Sequence, residues 1–304
     1  MNKTSEDNKI RLAFTDFWEG FENHNWFRPF LSRHLNVEIS NDNPDAVIFS
    51  DFGDDYMRYP CTRIYYTGEN SRPDFNRCDY AFTFDYNDDP RHYRLPLYRL
   101  YFDERDMTMN RSPDAILAQN RNFCCMVVSN PEAQERIDFF HELSRYKHVD
   151  SGGKVLNNVG GPVADKRKFL CNYRFAFAFE NAAYPGYTTE KIVEAWLEGC
   201  IPIYWGNPRI VEEFNPQCFI NLNDYPSWEM AAQRVCDVDS HPQLVREMLG
   251  RPLLPNNIVP AYLRESNIAE RFRTIFANGN RKISMRRRYE RVLHAAKKLK
   301  QQVF

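Results

Sequence analysis

The residues best suited to chemistry lie in residues 174–206, where an apolar strand pattern ends at Phe179 and the polar pair Glu180 and Asn181 follows at once. A Pro-Gly turn then leads into a helix pattern that opens with Thr-Thr-Glu-Lys. In an open α/β sheet, ligands bind at the carboxyl ends of the strands, and a helix N-terminus offers free backbone N–H groups to phosphate. The segment therefore predicts a site for a phosphate-bearing ligand.

Two cations and three hydrogen-bonding side chains could serve such a site. Lys191 lies in the first helical turn, where the positive end of the helix dipole disfavours it unless an anion such as a diphosphate is bound. Arg136 lies on the helix after another predicted strand and could bind two phosphate oxygens at once. Glu190 could accept hydrogen bonds from ribose hydroxyls, and Tyr187 and Asn181 could contact sugar or phosphate. The alternative is a strand, turn and helix that only pack together.

Other nucleotide and metal motifs are absent or isolated. The chain has neither G-x-G-x-x-G nor G-x-x-x-x-G-K-[ST], which argues against nicotinamide and P-loop chemistry. Residues 51–53 spell the Asp-Phe-Gly metal motif of protein kinases, but the other kinase motifs are missing, so we interpret the match as coincidence. Asp237 and Asp239 have a spacing that suits a divalent metal, yet a solvated helix end explains them better. The seven histidines form no ligand motif, and no metal site is predicted.

Length and composition describe a folded globular protein. Its 304 residues suggest two domains, and 43% hydrophobic with 27% charged residues exclude a wholly disordered or fibrous chain. The longest apolar run, residues 123–128, is far shorter than the ~20 residues of a membrane-spanning helix, and no signal segment opens the chain. Eight dispersed cysteines without metal-knuckle spacing are typical of reduced thiols. We therefore expect a soluble, cytoplasmic protein.

The net charge of −1 hides a division along the chain. Residues 281–304 hold nine basic side chains and one acid, a net charge of +8, so residues 1–280 carry −9. Apolar residues recur there at three- and four-residue steps, which favours a basic amphipathic helix. Such a helix could adsorb reversibly to an anionic membrane surface, or be a frayed and solvated terminus. Nucleic acid is disfavoured as a partner, because no nucleic-acid motif accompanies the charge.

Along the chain, short apolar runs alternate with longer amphipathic stretches, the rhythm of strands and helices in α/β proteins. We predict an N-terminal Rossmann-like domain over residues 1–120, a second over residues 121–277 and a basic tail over residues 278–304. Each domain is expected to be an open parallel sheet with helices on both faces. The predicted strands are residues 10–15, 46–50, 63–67, 80–84, 123–128, 174–179, 201–204 and 218–222, and the predicted helices include residues 131–146, 188–197 and 210–214.

Several motifs together resemble one family. Residues 177–191 read F-x-F-E-N-x-x-x-x-x-Y-x-T-E-K, and residues 199–206 read G-x-I-P-I-Y-W-G. Upstream, residues 65–75 read Y-Y-T-G-E-N-x-x-P-x-F. These motifs closely resemble those of the α-1,3/4-fucosyltransferases of glycosyltransferase family 10, above all its bacterial members. The resemblance covers roughly residues 10–276.

The resemblance implies a GT-B architecture, in which two Rossmann-like domains face a central cleft, and transfer of L-fucose from GDP-fucose with inversion. It implies that Glu69, in the T-G-E-N motif, is the general base. No cofactor is required, GDP-fucose is the donor substrate, and a divalent metal is at most stimulatory. The donor site that the family implies comprises Arg136 and Lys191, which hold the diphosphate, together with Asn181, Tyr187 and Glu190.

General chemistry agrees with this assignment of Glu69. A sugar hydroxyl is a poor nucleophile at neutral pH, so it needs a carboxylate within hydrogen-bond reach. Direct attack assisted by a single base inverts the anomeric centre. Cationic side chains can stabilise the leaving diphosphate, so that metal is not required in principle. The alternative is a strand-end acid that is salt-bridged to Arg63 or Arg72.

The sequence therefore indicates an α-1,3-fucosyltransferase that acts on the GlcNAc of an N-acetyllactosamine-like acceptor to give a Lewis x-type product. Trp18 and Trp26 are candidates for acceptor binding, and the tail for peripheral contact with the inner face of an anionic membrane. The alternatives are a transferase for another nucleotide sugar and a non-catalytic glycan- or nucleotide-binding module. The connection at residues 99–122 looks shorter than in bacterial relatives and heptad repeats are missing, which leaves acceptor choice and oligomeric state open.

Overall fold

The computed structural model describes the chain over residues 9–21, 25–278 and 289–294. The chain divides into two compact units. Unit 1 combines Met1–Leu95 with Ala261–Phe304, and unit 2 is Pro96–Pro260. The domain boundaries that the sequence predicted, after residues 120 and 277, do not coincide with these divisions.

The chain contains strands and helices in both units, as expected of an α/β protein. The strands are β1 (Ile10–Thr15), β2 (Val37–Ile39), β3 (Ala46–Phe49), β4 (Thr62–Tyr66), β5 (Tyr80–Thr83), β6 (His92–Arg94), β7 (Asn122–Met126), β8 (Val149–Ser151), β9 (Tyr173–Phe179), β10 (Ile201–Trp205) and β11 (Ile220–Asn221). The helices are α1 (Phe27–His34), α2 (Tyr98–Tyr101), α3 (Glu104–Met107), α4 (Pro113–Leu117), α5 (Gln134–Ser144), α6 (Lys166–Leu170), α7 (Lys191–Leu197), α8 (Trp228–Ser240), α9 (Pro242–Gly250) and α10 (Glu265–Ala277).

Unit 1 contains a six-stranded parallel sheet in the order β2-β1-β3-β4-β5-β6. Its central strands β3, β4 and β5 are buried along their whole length, which explains why they read as continuous apolar runs instead of an alternating pattern. Phe49 of β3 pairs with Tyr65 of β4, so the two strands end side by side. The loops that follow these strands therefore begin at the same edge of the sheet.

Helix α10, the last helix before the basic tail, belongs to unit 1. Its Phe272 ring stacks on Phe82 of β5 at 4.5 Å and contacts Phe27 of α1. Although α10 follows unit 2 in the sequence, the burial of these large rings stabilises its packing on unit 1. In the same way, α4 packs on α9 and joins unit 2, although the sequence placed it before the domain boundary.

Unit 2 contains a five-stranded parallel sheet in the order β11-β10-β9-β7-β8. The neighbouring residues Cys124 and Cys125 of β7 belong to different core clusters, one with Phe139 of α5 and one with Ala195 of α7. Successive residues of a strand point to opposite faces, so helices cover both faces of the sheet. This confirms the prediction of a doubly covered parallel sheet.

The eight predicted strands are all present, within two residues of the predicted ends. The strands β2, β6 and β8 were missed, because three residues are too few to show a periodicity. The predicted helix at residues 210–214 is a 3₁₀ helix, Ile210–Glu212. The eight cysteines are free thiols, as expected. Among the described residues, no helix combines the length and the apolar character that crossing a membrane requires.

The predicted basic tail lies mostly outside the described residues. Within residues 289–294 the chain is helical. The buried guanidinium of Arg63 forms an ion pair of 2.8 Å with Glu290, the one acid of the tail. His294 lies 3.3 and 3.4 Å from the carboxylates of Asp54 and Asp55. These contacts attach the described part of the tail to unit 1.

Candidate active site

A charged cluster, formed by Arg136, Glu180, Asn181, Glu190 and Lys191, lies at the carboxyl end of β9. The Arg136 side chain is buried, and one of its nitrogens donates a 2.7 Å hydrogen bond to Oδ1 of Asn181. The same nitrogen donates to the backbone carbonyl of Glu180 at 3.3 Å. The structure thus brings together predicted site residues that are 45 positions apart in the sequence.

Glu180 is the centre of this cluster, and it was not among the predicted site residues. Its carboxylate is completely buried and accepts hydrogen bonds from the backbone N–H of Thr189 at 2.8 Å and from the Thr189 hydroxyl at 2.6 Å. The Lys191 ammonium lies 3.3 Å from the same carboxylate and 3.7 Å from that of Glu190. Buried carboxylates persist only where such partners compensate the lost hydration.

The ion pairs correct one step of the sequence argument. Lys191 in the first turn of α7 does not depend on a bound anion, because the carboxylates of Glu180 and Glu190 already oppose its charge. The N–H of Thr189, which could have faced a phosphate, is used by Glu180. Helix α7 begins at Lys191, three residues later than predicted.

The pKa directions follow from burial and from these pairs. Burial raises the pKa of Glu180, and Lys191 and Thr189 only partly offset it. Burial acts to lower the pKa of Lys191, but the carboxylates of Glu180 and Glu190 outweigh it and raise that pKa. For Glu190, burial acts to raise the pKa, yet the ammonium groups of Lys191 and Lys166 lower it. Lys191 is therefore a cation throughout the neutral range.

The cluster keeps hydrogen-bonding capacity that an anion could use. Nε of Arg136 is buried and has no hydrogen-bond partner among the residues that the structure describes. The Lys191 side chain keeps 20% of its surface exposed. A buried donor without a partner is costly, and a phosphate oxygen would satisfy it with a charge-assisted bond. The arrangement therefore suits a diphosphate better than it suits packing alone.

A second buried network fixes the loop that carries Tyr187. Asn207 accepts a 2.8 Å hydrogen bond from the N–H of Gly186 and donates to the Thr188 hydroxyl at 3.0 Å. It also donates to the carboxylate of Glu213 at 2.7 Å. Tyr187 is buried, and in the sequence it lies between Gly186 and Thr188, the two loop residues that Asn207 holds. The sequence held a signal for this network, since Asn207 and Glu213 follow the family motif directly, but nothing in their spacing shows that they meet.

One glycine is needed for the cluster to form. Gly206 follows β10 with φ of +147°, and a Cβ atom at this position would lie 2.5 Å from Cγ of Glu180. Only glycine avoids both the strained backbone and this clash. Gly206 closes the G-x-I-P-I-Y-W-G motif, so the last residue of the motif makes room for the buried acid.

Glu69, the predicted base, follows β4 in unit 1. Its side chain is exposed, and its carboxylate has no hydrogen bond or ion pair with any residue in the described ranges. The proposed alternative, a salt bridge to Arg63 or Arg72, is wrong. Arg63 pairs with Glu290 at 2.8 Å and Arg72 with Asp85 at 3.0 Å. The Glu69 carboxylate thus has no side-chain or backbone partner among the residues that the structure describes.

The two tryptophans differ in their surroundings. Trp18 packs edge-on against Phe52, whose side chain is 51% exposed, with ring centroids 6.2 Å apart. The Trp26 ring stacks on that of Phe30 of α1, with ring centroids 4.3 Å apart, inside unit 1. Trp18 and Phe52 therefore offer an accessible aromatic surface, and the acceptor role of either tryptophan stays a prediction.

Of the two aspartates considered for metal binding, Asp239 has other partners. The carboxylate of Asp239 is almost fully buried and accepts hydrogen bonds from Arg174 at 2.7 Å and Lys147 at 2.5 Å. Asp239 is therefore an internal ion-pair partner and not part of a solvated helix end. Among the described residues, the group with metal-ligand spacing is that of Asp54, Asp55 and His294, which lies outside the charged cluster.

Comparisons with solved structures identify the fold. "Crystal Structure of alpha1,3-Fucosyltransferase with GDP" is similar over 92% of this chain and 94% of its own, with 28% identity and a TM-score of 0.77. "Crystal Structure of alpha1,3-Fucosyltransferase with GDP-fucose" is similar over 93% and 95%, with 27% identity and a TM-score of 0.75. Fold and site together define the class as glycosyltransferases of GT-B fold.

Sequence comparisons narrow the class to a family. Residues 12–101 match the "Alpha-(1,3)-fucosyltransferase FucT N-terminal domain", and residues 117–249 match "Glycosyltransferase family 10 (fucosyltransferase) C-term". "Alpha-(1,3)-fucosyltransferase FucT" of Helicobacter pylori is 32% identical over 255 residues, which cover 71% of this chain. The match spans 53% of that relative, about half its length. The chain belongs to glycosyltransferase family 10, the fucosyltransferases.

Proposed function

We propose that the chain is an inverting α-1,3-fucosyltransferase that uses GDP-fucose. The observation that carries the proposal is that Arg136 and Lys191 meet at the end of β9. The buried Nε of Arg136, which has no hydrogen-bond partner among the described residues, is available to donate to a phosphate oxygen. The similarity to structures titled with GDP and GDP-fucose supports the same donor.

The charged cluster is the proposed donor site. Arg136 and Lys191 hold the diphosphate, and their positive charges stabilise the charge that develops on GDP as it leaves. Glu190, whose lowered pKa keeps it ionised, accepts hydrogen bonds from the ribose hydroxyls. Asn181 and Tyr187 complete the site. Because the protein's own cations neutralise the leaving group, the proposed reaction needs no metal or other cofactor.

Glu69 is the proposed general base. Its carboxylate takes the proton of the acceptor hydroxyl while that oxygen forms a bond to the anomeric carbon of fucose, and the bond from this carbon to the diphosphate oxygen breaks. The products are the fucosylated acceptor and GDP. A single displacement from the face opposite the leaving group inverts the anomeric centre. An exposed carboxylate without a partner among the described residues suits this role.

The proposed acceptor is an N-acetyllactosamine-like oligosaccharide, fucosylated at O3 of its GlcNAc to give a Lewis x-type product. The names of the relatives, which are α-(1,3)-fucosyltransferases, support the linkage. Trp18 and Trp26 are the proposed acceptor contacts. The exposed ring of Phe52 beside Trp18 adds to this surface, since sugar rings pack well on aromatic faces.

We also propose that residues 281–304 associate with the inner face of an anionic membrane, with the body of the protein in the cytoplasm. In the described part of this segment Tyr289, Val292 and Leu293 are exposed, at 64%, 65% and 51%. Apolar side chains beside a dense positive charge suit an anionic lipid surface. Truncation after Ala277 should abolish binding to vesicles that contain phosphatidylglycerol. Unchanged binding of the truncated chain would contradict this proposal.

The donor and acceptor are tested by one matrix of assays. The enzyme is incubated with GDP-fucose, GDP-mannose or UDP-galactose, each with a panel of type 1, type 2 and glucose-containing acceptors, and the linkage is determined by NMR. We expect turnover with GDP-fucose and the type 2 acceptor, at O3 of GlcNAc. Turnover only with another donor would refute the donor assignment. Binding of GDP without turnover on any acceptor would favour a non-catalytic module.

A further inference from the structure

The loop that carries Glu69 is attached to a second acidic residue, Asp51. Asp51 follows β3, and the Glu69 loop follows β4, the neighbouring parallel strand. The two loops start from the same edge of the sheet, because Phe49 and Tyr65 pair in register. The Asp51 carboxylate therefore reaches the residues on both sides of Glu69.

Three hydroxyl groups converge on the Asp51 carboxylate, one from the end of β4 and two from the Glu69 loop. Oδ1 accepts a hydrogen bond from the Tyr65 hydroxyl at 2.5 Å and lies 2.9 Å from the Ser71 hydroxyl. Oδ2 accepts from the Thr67 hydroxyl at 2.5 Å. Burial, together with the bond to Asp51, raises the pKa of Tyr65, so its phenol remains a donor at neutral pH. One carboxylate thus fixes positions before and after Glu69.

The backbone of Glu69 is held by two of the same residues. Its N–H donates to the Thr67 hydroxyl oxygen at 3.0 Å, and its carbonyl accepts from the N–H of Ser71 at 2.7 Å. A chain of hydrogen bonds therefore runs from the Glu69 amide through Thr67 to Asp51. Since the Glu69 side chain has no partner of its own in the described residues, its backbone fixes the point from which the carboxylate extends.

Asp51 is itself on a fixed loop. The carboxylate of Asp16 accepts hydrogen bonds from the N–H groups of Asp55 at 2.9 Å and Tyr56 at 2.7 Å. A Cβ atom on Gly53 would lie 2.4 Å from Oδ1 of Asp16, so the loop packs closely against this carboxylate. The Asp-Phe-Gly sequence at residues 51–53, which resembled a kinase metal motif by coincidence, has a structural reason in this chain.

We infer that Asp51 is a positioning residue for the reaction, which holds the Glu69 loop so that the Glu69 carboxylate can reach the acceptor hydroxyl. The inference rests on the proposed role of Glu69 as base. A general base must lie within hydrogen-bond distance of the proton that it removes. A displacement of about 1 Å costs roughly 100-fold in rate. Asp51 acts through Tyr65, Thr67 and Ser71 and need not touch the substrate.

The test compares variants that differ by one hydrogen-bonding group. Thr67→Val removes the hydroxyl with little change in shape, and Thr67→Ser restores it. Asp51→Asn removes the charge and one acceptor, and Asp88→Asn is the matched control, an exposed aspartate of unit 1 outside the network. We expect Thr67→Val and Asp51→Asn to lower kcat by about 10- to 100-fold, with KM for GDP-fucose and Kd for GDP within about twofold. Thr67→Ser should recover most of kcat, and Asp88→Asn should match the wild type.

Equal kcat values for Thr67→Val and Thr67→Ser would overturn the inference, as would a loss in kcat that is matched by weaker GDP binding. Ser71→Ala, which removes one of three contacts, keeps the test valid if a more severe variant fails to fold, and an unchanged kcat there would count against the inference. Glu69→Gln is measured in parallel. If Glu69→Gln lowers kcat by roughly 10²- to 10⁴-fold, adding Asp51→Asn should not lower the residual kcat further. If Glu69→Gln is fully active, the proposed base is wrong independently of Asp51.

Discussion

Replacement of Lys191 by methionine removes the ammonium that faces the buried carboxylate of Glu180 at 3.3 Å. At this distance the charges attract with about 5 kcal/mol at an effective dielectric constant of about 20. Desolvation of both ions offsets roughly half of that attraction, and Thr189 still donates two hydrogen bonds to Glu180. We therefore expect Lys191→Met to lower the free energy of unfolding by about 2–3 kcal/mol at pH 8.

The loss should depend on pH in a defined direction. Burial already raises the pKa of Glu180, and without Lys191 that pKa rises further. Above the unfolded pKa of 4.5, the native state must then either keep a proton that the unfolded state releases or bury an uncompensated charge. The wild-type Glu180 already keeps its proton up to its own raised native pKa. The destabilisation of the variant relative to the wild type therefore grows as the pH rises through that raised pKa, and it vanishes below it, where Glu180 is protonated in both native states.

A double-mutant cycle separates the structural role of Lys191 from its role in binding. Unfolding in urea is followed by tryptophan fluorescence for Lys191→Met, Glu180→Gln and the double variant, and GDP binding is measured by calorimetry. The double variant should recover most of the lost stability, because no unpaired charge remains. It should still bind GDP about 10- to 100-fold more weakly, the equivalent of one charge-assisted hydrogen bond. Stability that does not recover, or GDP affinity equal to the wild type, would refute the reasoning.

Three further predictions follow from single contacts. In Arg136→Lys, the single lysine nitrogen cannot bind both Asn181 and a phosphate oxygen of GDP. The Kd for GDP, measured by calorimetry, should therefore rise about tenfold, with little change in melting temperature. Burial lowers the pKa of His92 from 6.5 to about 4, so between these pH values the unfolded state binds a proton that the native state does not. The free energy of unfolding should therefore fall by about 3 kcal/mol as the pH is lowered from 6.5 to 4. His92→Gln should abolish this pH dependence, which melting curves at several pH values would measure. Gly206→Ala places a methyl group against Glu180 and should lower both the melting temperature and GDP affinity, whereas wild-type GDP binding would contradict the described packing.

The strands of both sheets could be predicted from the sequence, because buried parallel strands read as unbroken apolar runs between turn signals. The family motifs also placed Arg136 and Asn181 in one site, and the structure brings the two side chains into contact. The assignment of α4 and α10 to the two units could not be predicted, since it depends on which aromatic and apolar side chains meet after folding.

The buried partners of the site residues could not be predicted from the sequence either. Glu180 stood in the motif, but its complete burial against Thr189 and Lys191 depends on the absence of a side chain at Gly206, 26 residues later. The Asp-Phe-Gly match at residues 51–53 could be interpreted only as coincidence from the sequence, because the link of Asp51 to the Glu69 loop follows from the order of strands in the sheet. Hydrogen bonds between segments that are distant in sequence leave no local pattern to detect.

The central claim is that the Glu69 carboxylate, which has no partner among the described residues, removes the proton of the acceptor hydroxyl. The most direct measurement is kcat of Glu69→Gln with GDP-fucose and N-acetyllactosamine, with Kd for GDP determined on the same preparation. Glutamine keeps the size of the side chain but cannot accept the proton, so kcat should fall by roughly 10²- to 10⁴-fold while GDP affinity stays within about twofold. A Glu69→Gln variant that turns over at the wild-type rate would contradict the account.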